Sequence, residues 1–130
     1  MAMGLTEIYK SFSDATRLRI LNLLLQQPVC VCHIQDVLGL PQVNTSQHLA
    51  YLRNAGLVEF ERIQTWKVYR LSTRASRAVQ LNLICLAECT KTDPIFSADL
   101  SRLRTVLRRS RSPICFESIK SAKLQKVSRS

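Results

Sequence analysis

Long hydrophobic runs are missing from this chain. The longest, residues 20–25, is interrupted by Asn22 and falls far short of the roughly 20 apolar residues of a membrane span, so no transmembrane helix is expected. The first ten residues carry Glu7 and have neither a basic leading stretch nor a small-residue cleavage site. That argues against a secretory signal and for a cytoplasmic protein with no membrane partner. Glycine is scarce, three residues in 130, and carboxylates number nine. They form no phosphate-cradling glycine loop, no paired acidic site and no set of nucleophile, base and orienter, so no enzymatic activity and no required cofactor are expected. Five cysteines, an odd count in a chain without a secretory signal, speak against a disulfide scaffold. They are left as buried small hydrophobes, metal ligands or redox sensors.

What is abundant is positive charge. Nineteen Lys and Arg residues give a net +10, of which residues 1–96 carry +3 and residues 97–130 carry +7. A basic balance without membrane-insertion signals points first to nucleic acid, the alternative being a merely solubilising tail. A length of 130 residues allows one domain with a modest core.

Apolar spacing orders that domain. Leu5, Ile8, Tyr9 and Phe12 recur at helical spacing, and Ser13-Asp14 offers cap chemistry for a second helix with a stripe of Leu18, Leu21 and Leu25 that ends at Pro28. Residues 30–38 read as a two-turn helix closed by Gly39. Pro41 then opens another that runs through residues 42–54 to Gly56. Two helices across a short glycine-containing turn are the helix-turn-helix pattern. Residues 57–63 and 66–71 alternate apolar with polar, giving two strands joined at Gln64-Thr65, a wing whose turn lacks the usual Asn-Gly or Gly-X chemistry.

Residues 74–90 read as a helix apolar on most sides, with Val79, Leu81, Leu83, Ile84, Leu86 and Ala87. Such a helix needs more cover than one small domain gives, so it is expected to form a homodimer interface with the first helix, the alternative being full burial in one subunit. Asp93-Pro94 breaks the pattern, and residues 100–107 read as a short helix before a mobile remainder. The expected fold is mainly α with a small β-hairpin, a winged helix-turn-helix that dimerises through its N-terminal and C-terminal helices. Residues 1–92 would form the DNA-binding and dimerisation domain, and residues 93–130 a basic C-terminal extension.

In the helix after Pro41, Leu49 and Leu52 face the core. At about 100° per residue Thr45 joins them, which leaves Val43, Gln47 and Ala50 on the opposite face. Asn44, Ser46 and Tyr51 flank that face, and Gln42 sits at the leading end that reaches base edges in the major groove of double-stranded DNA. Arg53, Arg62, Lys67 and Arg70 supply charge beside it for the phosphate backbone or the neighbouring minor groove. His48 falls at the edge of the core face and is read as a packed residue.

Five blocks now carry a resemblance: Ser13-Asp14-Ala15-Thr16-Arg17-Leu18-Arg19-Ile20-Leu21, Val29-Cys30-Val31-Cys32-His33-Ile34, Gln42-Val43-Asn44-Thr45-Ser46-Gln47-His48-Leu49, Leu52-Arg53-Asn54-Ala55-Gly56-Leu57-Val58 and Val68-Tyr69-Arg70-Leu71. In this order, over residues 5–90, the chain resembles the ArsR/SmtB family of metalloregulatory repressors. The resemblance implies a homodimeric winged-helix repressor that occupies an operator and leaves it when a metal or metalloid binds.

Cys30 and Cys32 stand where that family has a Cys-Val-Cys box, which implies As(III) or Sb(III) as effector, with Cd(II) or Pb(II) as alternatives. Thiolates suit soft ions, and a helix N-terminus favours the thiolate. Residues two apart in a helix point about 200° apart, so both grip one ion only if Cys30 lies outside the helix or its first turn unwinds. Position 35, where one familiar pattern has a third cysteine, is Gln. A third ligand would have to be Cys85, Cys89, Cys115 or a nitrogen of His33. Cys85 and Cys89 lie one turn apart and make either a second site or ordinary core. No His follows His48, so the family's Asp and His zinc site is not expected. The alternatives are a thiol redox or persulfide switch, with Cys30 or Cys32 joining Cys85 or Cys89, and a protein-interaction module that binds an acidic partner.

Overall fold

The computed structural model describes residues 4–110. Its order is α1 (Leu5–Ser11), α2 (Ala15–Gln26), β1 (Val29–Cys30), α3 (Val31–Leu38), α4 (Gln42–Asn54), β2 (Val58–Ile63), β3 (Trp66–Leu71), α5 (Arg77–Thr90) and α6 (Pro94–Arg109). Sheet order is β1-β3-β2, both pairings antiparallel, so β3 is the central strand. Helix α2 runs through the middle of the fold. Asp14 caps it by accepting from the Arg17 N–H at 3.0 Å, and Ile20, Leu21, Leu23 and Leu24 on it are buried. Around them Ile34, Val37, Leu49, Leu52, Leu57 and Val79 close one hydrophobic core.

Gly39 ends α3 in the left-handed region, φ 66°, and its N–H returns to the Gln35 carbonyl at 2.8 Å. That turn, which an L side chain adopts only with strain, sets the angle at which α4 leaves. The wing begins at Val58 rather than at residue 57, because Leu57 is spent on the core with no exposed surface. In the two-residue connection of the hairpin Gln64 takes φ 58°, the region that glycine or asparagine normally supplies there.

Three elements differ from the sequence reading. Val29 and Cys30 form a strand, too short to show alternation and defined by its partner: Val29 pairs with Tyr69 and Cys30 with Val68. Helix α5 begins at Arg77, not at residue 74, because Ser76 accepts from the Val79 N–H and so caps it. Helix α6 is 16 residues long instead of a short helix at 100–107. Asp93-Pro94 starts it: Asp93 accepts from the Ile95 N–H at 2.9 Å and Pro94 occupies the first turn, where no N–H is needed.

That last helix belongs to the core. Leu103 is buried in it, and the fully buried Asp99 carboxylate accepts from Arg19 Nε at 2.7 Å and Arg19 Nη2 at 2.9 Å and also pairs with Arg102. Arg102 Nε in turn donates to the Val37 carbonyl at 3.0 Å, near the end of α3. One carboxylate therefore ties α6 to α2 and, through Arg102, to α3. The mobile remainder expected after residue 107 lies largely outside the described residues, as does Cys115. Among the described residues no helix is long and apolar enough to cross a membrane.

Candidate nucleic-acid interface and thiol site

Helix α4 buries Thr45, Leu49 and Leu52 and exposes Gln42, Val43, Asn44, Ser46, Gln47, Tyr51 and Arg53. Val43, an apolar side chain at the leading end, is 66 % exposed. The polar face calculated from the helical repeat is thus the solvent face. His48 is half-buried at its edge, with Nδ1 3.8 Å from Asp14 Oδ1. The Tyr51 ring carries the Arg17 guanidinium at 4.1 Å from its centroid, a cation from α2 that periodicity along α4 alone does not reveal.

Cross-strand register sorts the wing's charges by face. Arg62 stands directly opposite Lys67, and Phe60 opposite Tyr69, all on one face because these pairs are two residues apart. Arg53 lies 5.1 Å from the Phe60 ring centroid, and Lys67 Nζ 4.2 Å from the same ring. Arg53, Arg62 and Lys67 therefore form a basic edge beside α4. Like charges placed opposite each other are unfavourable unless an anion lies between them. Arg70 is on the other face, where it pairs with Glu59 at 3.0 Å and Glu61 at 3.2 Å, so its charge is already matched.

The cysteines fall into two settings. Cys30 is the N-cap residue of α3 in extended conformation, φ −64° and ψ 142°, outside the helix, while Cys32 sits in its first turn. Cys30 therefore lies outside the helix that contains Cys32, and the first turn of α3 is wound. Cys30, 2 % exposed, packs with Val68, and Cys32, Ile63 and Trp66 complete that small cluster. The ring of His33 lies 6.2 Å from that of Trp66, and its Nδ1 is buried with no hydrogen-bond partner among the described residues. Burial pushes the His33 pKa below the usual 6.5, against the opposing pull of Asp36, so the imidazole is neutral and keeps a lone pair. Ser110, the last described residue, lines a groove of about 480 Å³ between α3 and α6 together with His33, Asp36 and Arg102.

Cys85 and Cys89 are both exposed on α5 with their sulfurs 4.0 Å apart, which corrects the reading of them as core. Among the described residues no group of three Cys, His, Asp or Glu side chains gathers that could hold a metal ion. The packing of the first pair against the wing was not foreseen. It follows from the pairing of β1 with β3, a contact between residues some forty positions apart.

A helix, a glycine turn, an exposed polar helix and a basic two-stranded wing define a winged helix-turn-helix DNA-binding protein. Residues 14–59 match the family described as bacterial regulatory protein, arsR family. The chain is 32 % identical over 108 residues to the arsenic resistance transcriptional regulator ArsR1 of Pseudomonas putida, covering 82 % of this chain and 83 % of that one. It is 47 % identical over 64 residues to an HTH-type transcriptional regulator of Methanocaldococcus jannaschii, covering 48 % of this chain and 72 % of that one. Its fold matches the homodimeric winged helix-turn-helix DNA-binding domain of a possible ArsR-family regulator from Mycobacterium bovis, with TM-score 0.57 and 27 % identity over 69 % of this chain and 81 % of that one. The chain belongs to the ArsR family of transcriptional regulators.

Proposed function

We propose that the protein is a cytoplasmic, homodimeric repressor that leaves its operator when As(III), Sb(III) or a comparably thiophilic ion engages Cys30 and Cys32. The observation that carries this reading is the position of the pair, at the junction where β1, bonded to the wing, becomes α3, which buttresses the reading helix. Bringing both sulfurs onto one centre draws Cys30 away from Val68 or turns the start of α3, and either movement shifts α4 relative to the wing. Thiolate character at that helix N-terminus suits a soft ion. His33, neutral and with an unpartnered Nδ1, is one candidate for a third donor. Cys115 is another: it follows Ser110 by five residues, a reach of about 17 Å from the mouth of the groove beside His33. Similarity to the arsenic resistance regulator of P. putida supports an arsenic effector.

On DNA, Gln42, Val43, Asn44, Ser46 and Gln47 would meet base edges and adjacent phosphates, Val43 being suited to a thymine methyl group. Tyr51, Arg53, Arg62 and Lys67, joined by Arg17, would hold the backbone. Arg70, already paired with two carboxylates, would add little. Dimerisation through α1 and α5 explains why Leu5, Tyr9, Leu81 and Ile84 are 49–59 % exposed in the single chain. The basic residues beyond position 92 would add sequence-independent attraction to phosphate.

Fluorescence anisotropy tests this directly, with a duplex selected from a random pool by the reduced protein. Arsenite is expected to release the wild-type chain and to leave Cys30→Ser and Cys32→Ser bound; equal release in all three contradicts the proposal.

A further inference from the structure

Arg17, in the first turn of α2, is held from three sides in the free chain. Its Nη2 donates to the Lys10 carbonyl at 2.8 Å and its Nε to the Ser11 carbonyl at 3.1 Å, both at the C-terminal end of α1. These are carbonyls that a helix end leaves without an intrahelical partner. The guanidinium also lies over the Tyr51 ring of α4, 4.1 Å from its centroid. Nε and Nη2 are thus engaged, and Nη1 makes no hydrogen bond among the described residues. An arginine in solution samples many rotamers, and fixing one of them weakens any binding that requires it. Here two carbonyls and a ring have fixed it beforehand.

The support itself is weak in a single chain. Helix α1 has seven residues, a length that is marginal for an isolated helix in water, and it buries only Ile8 and Ser11. Leu5 and Tyr9 on it, 59 % and 53 % exposed, belong to the face assigned above to the homodimer. We infer that Arg17 is a phosphate contact preset by α1 and the Tyr51 ring, and that each reading head is complete only once subunit pairing has ordered that helix. This deepens the operator and dimer reading and rests on it. The link runs through named groups: the partner subunit covers Leu5 and Tyr9, the last turn of α1 keeps its two carbonyls in place, and the carbonyls aim the Arg17 fork. The fork then braces Tyr51 on α4 and turns Nη1 to the backbone. Lysine is no substitute, because a point charge on a flexible stem lacks the planar fork that meets carbonyls and ring together.

Anisotropy with the selected duplex across a salt series, and hydrogen exchange of the free full chain, test this together. Arg17→Ala is expected to weaken operator binding about tenfold and to lower the slope of log affinity against log salt by about 0.9 for each subunit. Arg17→Lys is expected to keep the slope and still lose affinity. Tyr51→Leu adds less to Arg17→Ala than it costs alone. In the free protein, Arg17→Ala should speed exchange of residues 8–13 about tenfold and leave α6 unchanged. The pair Leu81→Lys, Ile84→Lys on α5 is expected to separate the subunits, as read by analytical ultracentrifugation, and to speed the same segment. An unchanged salt slope in Arg17→Ala overturns the phosphate contact, and additivity with Tyr51→Leu overturns the brace. Wild-type protection of residues 8–13 in the separated chains overturns the link to pairing. Failure of the underlying reading shows elsewhere: wild-type protein would bind selected and random duplexes alike, or the α5 variant would stay paired.

Discussion

Two pairs of cysteines occupy the same chain in opposite circumstances. Cys30 and Cys32 lie at a strand-to-helix junction, with Cys30 almost fully buried and both sulfurs packed beside Val68, Ile63 and Trp66 of the wing. Cys85 and Cys89 lie within one helix, exposed in the single chain and in contact with each other. A ligand at the first pair must move backbone between two DNA-facing elements. At the second it rearranges only side chains. On the proposed reading, the same thiol chemistry would be coupled to the reading head in one place and uncoupled in the other, with burial and connectivity making the difference.

The largest test of that contrast loosens α3, whose far end is tied to α6 through Arg102 and Asp99. Asp99→Ala strips the buried carboxylate from Arg19 and Arg102 and is expected to cost about 3 kcal/mol in denaturant unfolding, the lower end for a broken buried pair because both arginines keep contact with water. It should also speed alkylation of Cys30 and leave Cys85 unaffected; equal acceleration at both pairs would erase the distinction. In the wild-type protein Cys30 is expected to react with iodoacetamide on the order of 100-fold more slowly than Cys85, because reagent reaches it only through local opening. Peptide mass spectrometry of timed samples reads this, and comparable rates would sink the burial argument.

Smaller effects sharpen it. Cys30→Ser places a hydroxyl in an apolar cluster and should cost about 1–2 kcal/mol, whereas Cys89→Ser stays within about 0.5 kcal/mol. The smallest expected effect is a pH dependence. Burial lowers the His33 pKa below its unfolded value near 6.5, so the unfolded chain takes up that proton first and stability falls as pH drops below about 6.5. Thermal unfolding across pH 5–7 should show a shallower slope in His33→Leu than in wild type. Identical slopes would remove His33 from the account.

Much of the reading head is local and was legible in sequence. Thr45, Leu49 and Leu52 declare the inner face of α4 by spacing, and Asp14 and Gly39 mark helix ends because their chemistry acts on the adjacent turn. What escaped was long-range or two-sided. Pro94 breaks one helix and starts the next, and only Asp93 before it tells which, so α6 was read as a fragment. Its amphipathic face has meaning only once Asp99 meets Arg19, eighty residues away. Likewise Cys30 gained its neighbours from β3, and Arg70 found Glu59 and Glu61 across the hairpin. The exposure of Cys85 and Cys89 was hidden because α5 is apolar on both faces and spacing alone does not say which is covered.

Trp66, the chain's only tryptophan, stands in the cluster with Cys32 and so reports on the coupled pair. Its fluorescence during arsenite titration of the reduced protein tests the central claim most directly. The account predicts a saturable change in wild type and in the Cys85→Ser, Cys89→Ser double variant, lost in the Cys30→Ser, Cys32→Ser double variant. A signal that persists without Cys30 and Cys32, or that vanishes with Cys85 and Cys89, would contradict it.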